Sequence, residues 1–333
     1  MAVYTPVSAE QAQNLCDALG LGQVLALEPI LGGIENTNYF LTTQMAQAAP
    51  QKRVLTLFER LQPEQLPYYL NLMAHLGEAG QPVPSPVANP LAGKAITRFV
   101  QQVAGKPACV VDCLVGKSEL KPGPGHCQQV GTHLARMHLA AANYGASQSN
   151  LRSLPWWNAT APGLYKHLPP EQLRLLQHEL AFQNHMAQSA AFAALPSGPV
   201  HCDLFRDNVM FSHCAAGGPV LSGVFDFYFA GNDSWLFDLC VTLNDWAIDH
   251  ETGGFRGPHF SALLAAYQAV RPLTRAERSL FCPMLRAAAL RFWVSRLWDW
   301  HRPREAELLK PHDPSHFERV LALRASIGFN ALI

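Results

Sequence analysis

Charge is scarce in this 333-residue chain: Asp, Glu, Lys and Arg make up only 15% of it, against a typical ~25%. The charges that exist balance, 25 basic against 25 acidic. That excludes the broad positive surface of a general nucleic-acid binder but not a local charged pocket. No apolar run reaches the ~18 residues of a membrane span. The opening stretch, MAVYTPVSAEQ, lacks a basic segment followed by an apolar core, so no export signal is read and a cytoplasmic location is expected. Eight cysteines form neither a CxxC pair nor a compact disulfide framework, which fits free thiols in a reducing compartment. Repeats and low-complexity tracts are missing as well. Apolar residues, by contrast, are plentiful at 49%. They suffice for a sizeable core, and at ~150 residues per domain the length suggests two domains or lobes.

The first hundred residues read as strands broken by turns. Candidates are 24–30, 38–43, 53–59, 95–100 and 108–115, with a helix over 64–79 from the spacing of Leu66, Tyr69, Leu70, Met73 and Leu76. After Gly116 helical periodicity dominates. Val130, Leu134, Met137 and His138 mark one face, and Leu173 to Met186 another. Short strand-like pieces come next at 209–211 and 220–225, then helices over 235–248, 261–270, 275–300 and 316–324. The pattern predicts an α+β chain of two lobes. Residues 1–113 form a small antiparallel-sheet lobe with one main helix, and residues 114–333 a larger, mainly helical lobe.

The chemistry concentrates in His201-Cys202-Asp203-Leu204-Phe205-Arg206-Asp207-Asn208, which fits the spacing H-x-D-x-x-x-x-N of a kinase catalytic loop. Phosphoryl transfer needs an Asp beside the attacking hydroxyl and an amide that turns back to a divalent cation. Alone, the segment also reads as a polar turn after a buried strand. Eighteen residues beyond Asn208, Asp226 closes an apolar strand candidate, where a second metal-binding carboxylate belongs. Upstream, Gly32-Gly33 with Asn36 and Asn38 lies between two strand candidates. It suits either phosphate contact through backbone N–H groups or an ordinary turn. Two other patterns fail. Gly116-Lys117-Ser118 lacks the Gly that a Walker A loop requires at 111, where Val111 stands, and His201-Cys202 with His213-Cys214 lacks usual zinc spacing.

With these residues in place, the chain resembles the aminoglycoside-phosphotransferase-like family of small-molecule kinases over nearly its whole length. The stretches that carry the likeness include GGIENTNYFL (32–41), VLTLFERL (54–61), LARMHLA (134–140), HCDLFRDNVMF (201–211), DFYFAGNDSW (226–235) and HFERVLALR (316–324). NYFL, FRDN and TLNDW are similar to the narrower group whose acceptor is L-homoserine. The resemblance implies a protein-kinase-like fold, ATP in the interlobe cleft with its adenine near Val111, Asp112 and Leu114, and Mg2+ held by Asn208 and Asp226. It implies Asp203 as base and His201 as a brace of the loop. Asp238 is expected to cap or anchor that loop. The expected reaction is phosphorylation of the L-homoserine hydroxyl to O-phospho-L-homoserine, for threonine biosynthesis.

For the acceptor, Asn244 and Asp245 are candidates to receive the ammonium, and Arg206 to meet the carboxylate or the γ-phosphate. A second surface is Arg291, Trp293, Arg296, Trp298 and Trp300 on the late helix, whose alternative is core filling and solvent-facing arginines. One departure stands out. A kinase strand usually carries a Lys for the phosphates, and Thr56 occupies that position, with Lys52, Arg53 and Arg60 nearby. That departure keeps a catalytically inactive nucleotide-binding scaffold as an alternative role, and the tryptophans, which could cage a quaternary ammonium, keep choline, ethanolamine, an aminosugar or another amino alcohol as alternative acceptors.

Overall fold

The computed structural model describes residues 4–30, 35–213, 217–301 and 312–328. Gly32 and Gly33 lie outside the described residues. The chain divides into two compact units, one ending at Val115 and the other beginning at Gly116.

The first unit opens with helix α1 (Ala9–Leu19), followed by β1 (Gln23–Pro29), β2 (Asn36–Gln44), β3 (Gln51–Phe58), α2 (Leu66–Glu78), β4 (Gln101–Val103) and β5 (Lys106–Asp112). The five strands form one antiparallel sheet in the order β1-β2-β3-β5-β4. Period-two alternation places Thr37, Tyr39, Leu41 and Thr43 of β2 on the buried side. Tyr39 and Leu41 join Leu55, Leu57, Ala108 and Val110 in a core covered by Ala12, Leu15, Cys16 and Leu19 of α1. Those four α1 residues recur at helical spacing, and a capping box fixes the start: Gln11 N donates to Ser8 Oγ (3.1 Å) and Ser8 N to Gln11 Oε1 (2.9 Å). The strand expected at 95–100 is not one. Arg98 N donates to Ala95 O and Val100 N to Thr97 O, so these backbone groups close turns and the ladder begins only at Gln101.

The second unit contains α3 (Pro124–Ala141), α4 (Leu154–Thr160), α5 (Pro170–Ala187), α6 (Ala190–Ala193), β6 (Ser197–Val200), β7 (Val209–His213), β8 (Pro219–Val224) and β9 (Gly231–Ser234). Beyond them lie α7 (Trp235–Trp246), α8 (Gly257–Val270), α9 (Arg275–Ser279), α10 (Phe281–His301) and α11 (Ser315–Ser326). The helix expected over 275–300 is interrupted at Leu280, because Pro283 has no N–H to give to Ser279 and its ring crowds that carbonyl. From Phe281 to Val294 every residue of α10 is buried, as befits a helix packed on all sides by neighbours that include α5, α7 and α11. Two short antiparallel ribbons, β6-β9 and β7-β8, present the chemistry-bearing loops. The segment 201–208 spans the gap from β6 to β7, and Asp226 lies two residues past the end of β8. No helix among the described residues is long and apolar enough to cross a membrane.

Candidate active site

The start of the loop after β6 is held by a buried carboxylate. Asp238, in the first turn of α7 and fully buried, accepts from Cys202 N at Oδ1 (2.7 Å) and from His201 N at Oδ2 (3.0 Å). Burial alone would raise its pKa, yet the hydrogen bonds from His138 Nε2 and His201 N hold it below the usual carboxylate range. His138 of α3 reaches Oδ2 through Nε2 (3.0 Å), its Nδ1 meets the Tyr267 hydroxyl (2.8 Å), and Arg271 donates to that hydroxyl oxygen (3.2 Å). Arg271 in turn pairs with the buried Glu277 (2.8 Å). With Tyr267 donating to Nδ1, the imidazole carries its proton on Nε2 and gives it to Asp238. Sequence reasoning left Asp238 as a cap or an anchor, and it is the anchor. The role of His138 was missed, since in sequence it is one more residue on a helix face.

The loop's own side chains complete the bracing. His201 Nε2 meets Phe225 O (2.9 Å), a group that can only accept, so Nε2 carries the proton and Nδ1 is free to accept from Asp203 N (3.3 Å). Asn208 Nδ2 donates to Asp203 O (2.9 Å), and Phe225 N to Asn208 O (3.1 Å). Trp246 Nε1 adds a bond to Leu204 O (3.0 Å). Asp203, Asn208 and the segment carrying Asp226 are thus brought together, with Asp203 and Asp226 each partly exposed. Cys202 and Asp226 both adopt left-handed backbone, with φ of 65° and 64°. This conformation costs ~1–2 kcal/mol outside glycine, and the bonds to Asp238 hold Cys202 in it.

A divalent cation fits this donor set. Because Nδ2 of Asn208 is taken up by Asp203 O, its Oδ1 is left without a partner among the described residues. That oxygen and the Asp226 carboxylate are hard donors, the kind magnesium takes in small number while phosphates and water complete its octahedron.

The other expected residues are placed variously. Arg206 N donates to Asp245 Oδ2 (2.9 Å), and its guanidinium is occupied by His250 Nδ1 (3.1 Å) and Leu120 O (3.4 Å). It lines a cavity of about 440 Å³ with Lys121, Asp249, His250, Arg256 and His259. Asp245 is buried beside it, and burial lifts its pKa to about 6 against the pull of Arg206. Asn244, expected to face an ammonium, is instead 1% exposed. Its amide donates to Leu285 O (2.8 Å) and accepts from Arg324 Nε (3.0 Å), so it joins α7 to α10 and α11.

In the first unit, Asn38 Oδ1 accepts from Thr56 Oγ1 (2.7 Å), and Asn36 opens β2 opposite Phe58. Val111 is buried and pairs with Val54, Asp112 ends β5, and Leu114 lies just beyond it. The cations near Thr56 in sequence have other partners. Lys52 lies over the Phe40 ring (3.7 Å), Arg53 donates to Thr43 Oγ1 (2.9 Å) and Arg60 pairs with Glu35 (3.9 Å).

Comparison with known proteins defines the class. The chain belongs to the phosphotransferase enzyme family, whose pattern matches residues 26–273. Within that family it falls in the homoserine kinase branch. It is 52% identical over 324 residues to the homoserine kinase of Polaromonas naphthalenivorans, covering 97% of this chain and 98% of the relative. It is also 50% identical over 331 residues to that of Cupriavidus pinatubonensis, covering 99% and 98%. Among solved structures, an amicoumacin kinase in complex with AMP-PNP, Ca2+ and Ami matches with a TM-score of 0.64 at 17% identity, covering 94% of this chain and 91% of that one. A spectinomycin phosphotransferase matches with a TM-score of 0.63 at 12% identity, covering 98% and 97%. These likenesses establish the two-lobed kinase-like α+β fold. The chain is an ATP-dependent kinase.

Proposed function

We propose that this kinase transfers the γ-phosphoryl group of ATP to the side-chain hydroxyl of L-homoserine, giving O-phospho-L-homoserine for threonine biosynthesis. The observation that carries the reading is identity of 50–52% to homoserine kinases over essentially the full length of both chains. The site's chemistry supports it.

Asp203 stands on a loop whose backbone is fixed at His201, Cys202, Leu204 and Arg206, so its carboxylate is pre-oriented at little entropic cost. It receives the proton as the acceptor oxygen bonds to the γ-phosphorus. The bond from that phosphorus to the bridging oxygen breaks, and ADP leaves with the electron pair. Asn208 and Asp226 would hold Mg2+, which when bound neutralises charge on the transferred group. His201 positions both segments by bridging Asp203 N and Phe225 O. Arg206, as a backbone donor to Asp245 and a neighbour of His250, shapes the acceptor side of the loop rather than the reacting atoms. Asp245 takes the acceptor's ammonium. Asn36 and Asn38, with the glycines before them, serve the phosphates, and Val111, Asp112 and Leu114 the adenine.

The test is ADP release from Mg-ATP with L-homoserine, choline, ethanolamine and L-serine as acceptors. Selective turnover of homoserine is expected. Asp203→Asn should lower kcat by about 10²–10⁴-fold with KM for ATP nearly unchanged, the range for loss of a general base. Turnover of another acceptor in preference to homoserine would move the assignment to that compound. Near wild-type kcat in Asp203→Asn would remove Asp203 from its role.

A further inference from the structure

The acidic groups around the loop pose a problem for an amino-acid acceptor. Asp203 and Asp207 stand on the loop and Asp245 accepts from its Arg206 N, and the field of three carboxylates suits an ammonium but repels an α-carboxylate. A cation has to face them. Arg206 is the obvious one in sequence, yet its guanidinium is already occupied by His250 Nδ1 and Leu120 O. Arg291 is 4% exposed and lies over the Phe292 ring at 3.8 Å, within the packing of α10.

Arg296, one and a half turns further along α10, is different. Its guanidinium lies 4.4 Å over the ring of Phe317. Phe317 stacks on Phe292 (5.0 Å) and on Phe205 of the catalytic loop itself (6.1 Å), and Phe205 meets Phe292 at 4.5 Å. The aromatic layer therefore ties the platform under Arg296 to a residue two positions from Asp203. Of the other arginines, Arg286 pairs with Glu179 (2.6 Å) and Arg271 with Glu277 (2.8 Å), while Arg324, 2% exposed, donates through Nε to Asn244 (3.0 Å) and has its Nη2 shut in the packing of α11, out of a ligand's reach. Arg296, half-buried, makes no hydrogen bond or ion pair among the described residues. The charges of Asp245, Asp203 and Asp207 all act on it, in keeping with the aromatic layer that joins its platform to the loop. Burial lowers its pKa to about 10, so it stays charged at neutral pH.

We propose that Arg296, held over the Phe317 ring and with no hydrogen-bond partner among the described residues, is the receptor for the acceptor's α-carboxylate. It is thereby the residue that selects an amino acid over an amino alcohol. A planar guanidinium offers two parallel N–H groups to a carboxylate, and contact with the ring restricts its freedom in advance. Asp245 and Arg296 then form the two poles of a zwitterion site, with Asp203 at the hydroxyl. The inference rests on the reading of the acceptor as L-homoserine.

The test compares L-homoserine with 3-aminopropan-1-ol, the same molecule without its carboxylate. ADP release is measured for wild type, Arg296→Gln and Arg296→Lys. Wild type should prefer homoserine by about 100-fold in kcat/KM, the scale of a lost bidentate charged pair. Arg296→Gln should lower kcat/KM for homoserine by a similar factor, mainly through KM, so that the preference collapses. Arg296→Lys should restore part of it, and KM for ATP should hold in both variants. A structural role would lower both acceptors together, and that outcome, or an unchanged preference, overturns the proposal. If wild type fails to phosphorylate homoserine, the acceptor assignment itself falls, and that is read before any variant is made.

Discussion

Replacing Asp238 by Asn removes one charge and one acceptor without changing shape. Its carboxylate receives three donors, from Cys202 N, His201 N and His138 Nε2, in a place with no access to water. An amide nitrogen cannot accept, so in either orientation at least one buried N–H faces another donor. An orphaned buried donor costs ~1–3 kcal/mol, and each hydrogen bond that loses its charged partner forfeits part of ~1.5–3 kcal/mol. Relief from burying a charge offsets some of this. The net expectation is a loss of about 3 kcal/mol, the lower edge of what breaking a buried pair costs.

For a unit of roughly 200 residues that corresponds to a fall in Tm of about 6–12 °C. Because Cys202 sits in a left-handed conformation that this carboxylate sustains, the loop should also loosen, and kcat should fall by at least about tenfold. Asp238 is depressed in the folded state, so its contribution is present above the unfolded pKa of ~3.9 and is lost as pH falls through the lower folded value. The stability gap between wild type and Asp238→Asn should stay flat from pH 8 to 5 and close below pH 4. Thermal unfolding of both proteins across that range, with kcat at pH 7.5, checks it. A variant within 1 kcal/mol of wild type and with wild-type kcat would refute the anchoring argument.

Asp245 gives a second, pH-resolved expectation. Burial raises it to about 6, so in the free enzyme the carboxylate proposed to receive an ammonium forms only as pH rises through that value, and kcat/KM for the acceptor should climb across it. Asp245→Asn should abolish that limb, and a profile flat between pH 5 and 7.5 in wild type would contradict the assignment. Gly131 of α3 supplies a packing test. A Cβ there would stand 2.2 Å from Leu263 O of α8, so Gly131→Ala should cost ~1–3 kcal/mol by thermal unfolding. Gly125→Ala, whose nearest neighbour would be Pro219 Cγ at 3.4 Å, should be close to neutral, and equal behaviour of the two would show that α3 and α8 are not that close.

Much of the site was legible because its chemistry is local. The interval from His201 to Asn208 is set by one turn of backbone, so the pattern survives in one dimension, and Asp226 comes after an apolar strand that announces itself by composition. The strands 24–30, 38–43 and 53–59 were legible for the same reason, since alternation and turn residues act within a few positions. Helix α1 escaped notice although Ser8 and Gln11 spell its capping box and Gly20 its end. The reading of 95–100 as a strand failed because propensity there yields to turns that the neighbouring chain imposes.

The sequence by itself determined the kinase class, three strands of the sheet and the helical character of the chain beyond Gly116, and it picked out the loop proposed to carry the reaction. Tertiary structure alone decided which polar residues serve the site and which serve the core. Asn244 and Asp245 are neighbours in sequence, yet one is taken up by Leu285 and Arg324 while the other meets the loop after β6. Arg206 and Arg296 exchanged expectations in the same way, the first occupied by His250 and the second, over Phe317, without a hydrogen-bond partner among the described residues. His138 became part of the machinery only by meeting Asp238, 100 residues away. A buried polar group must find a partner, but the identity of that partner is set by which helices pack together. That is a property of the whole chain's hydrophobic burial and not of any stretch within it.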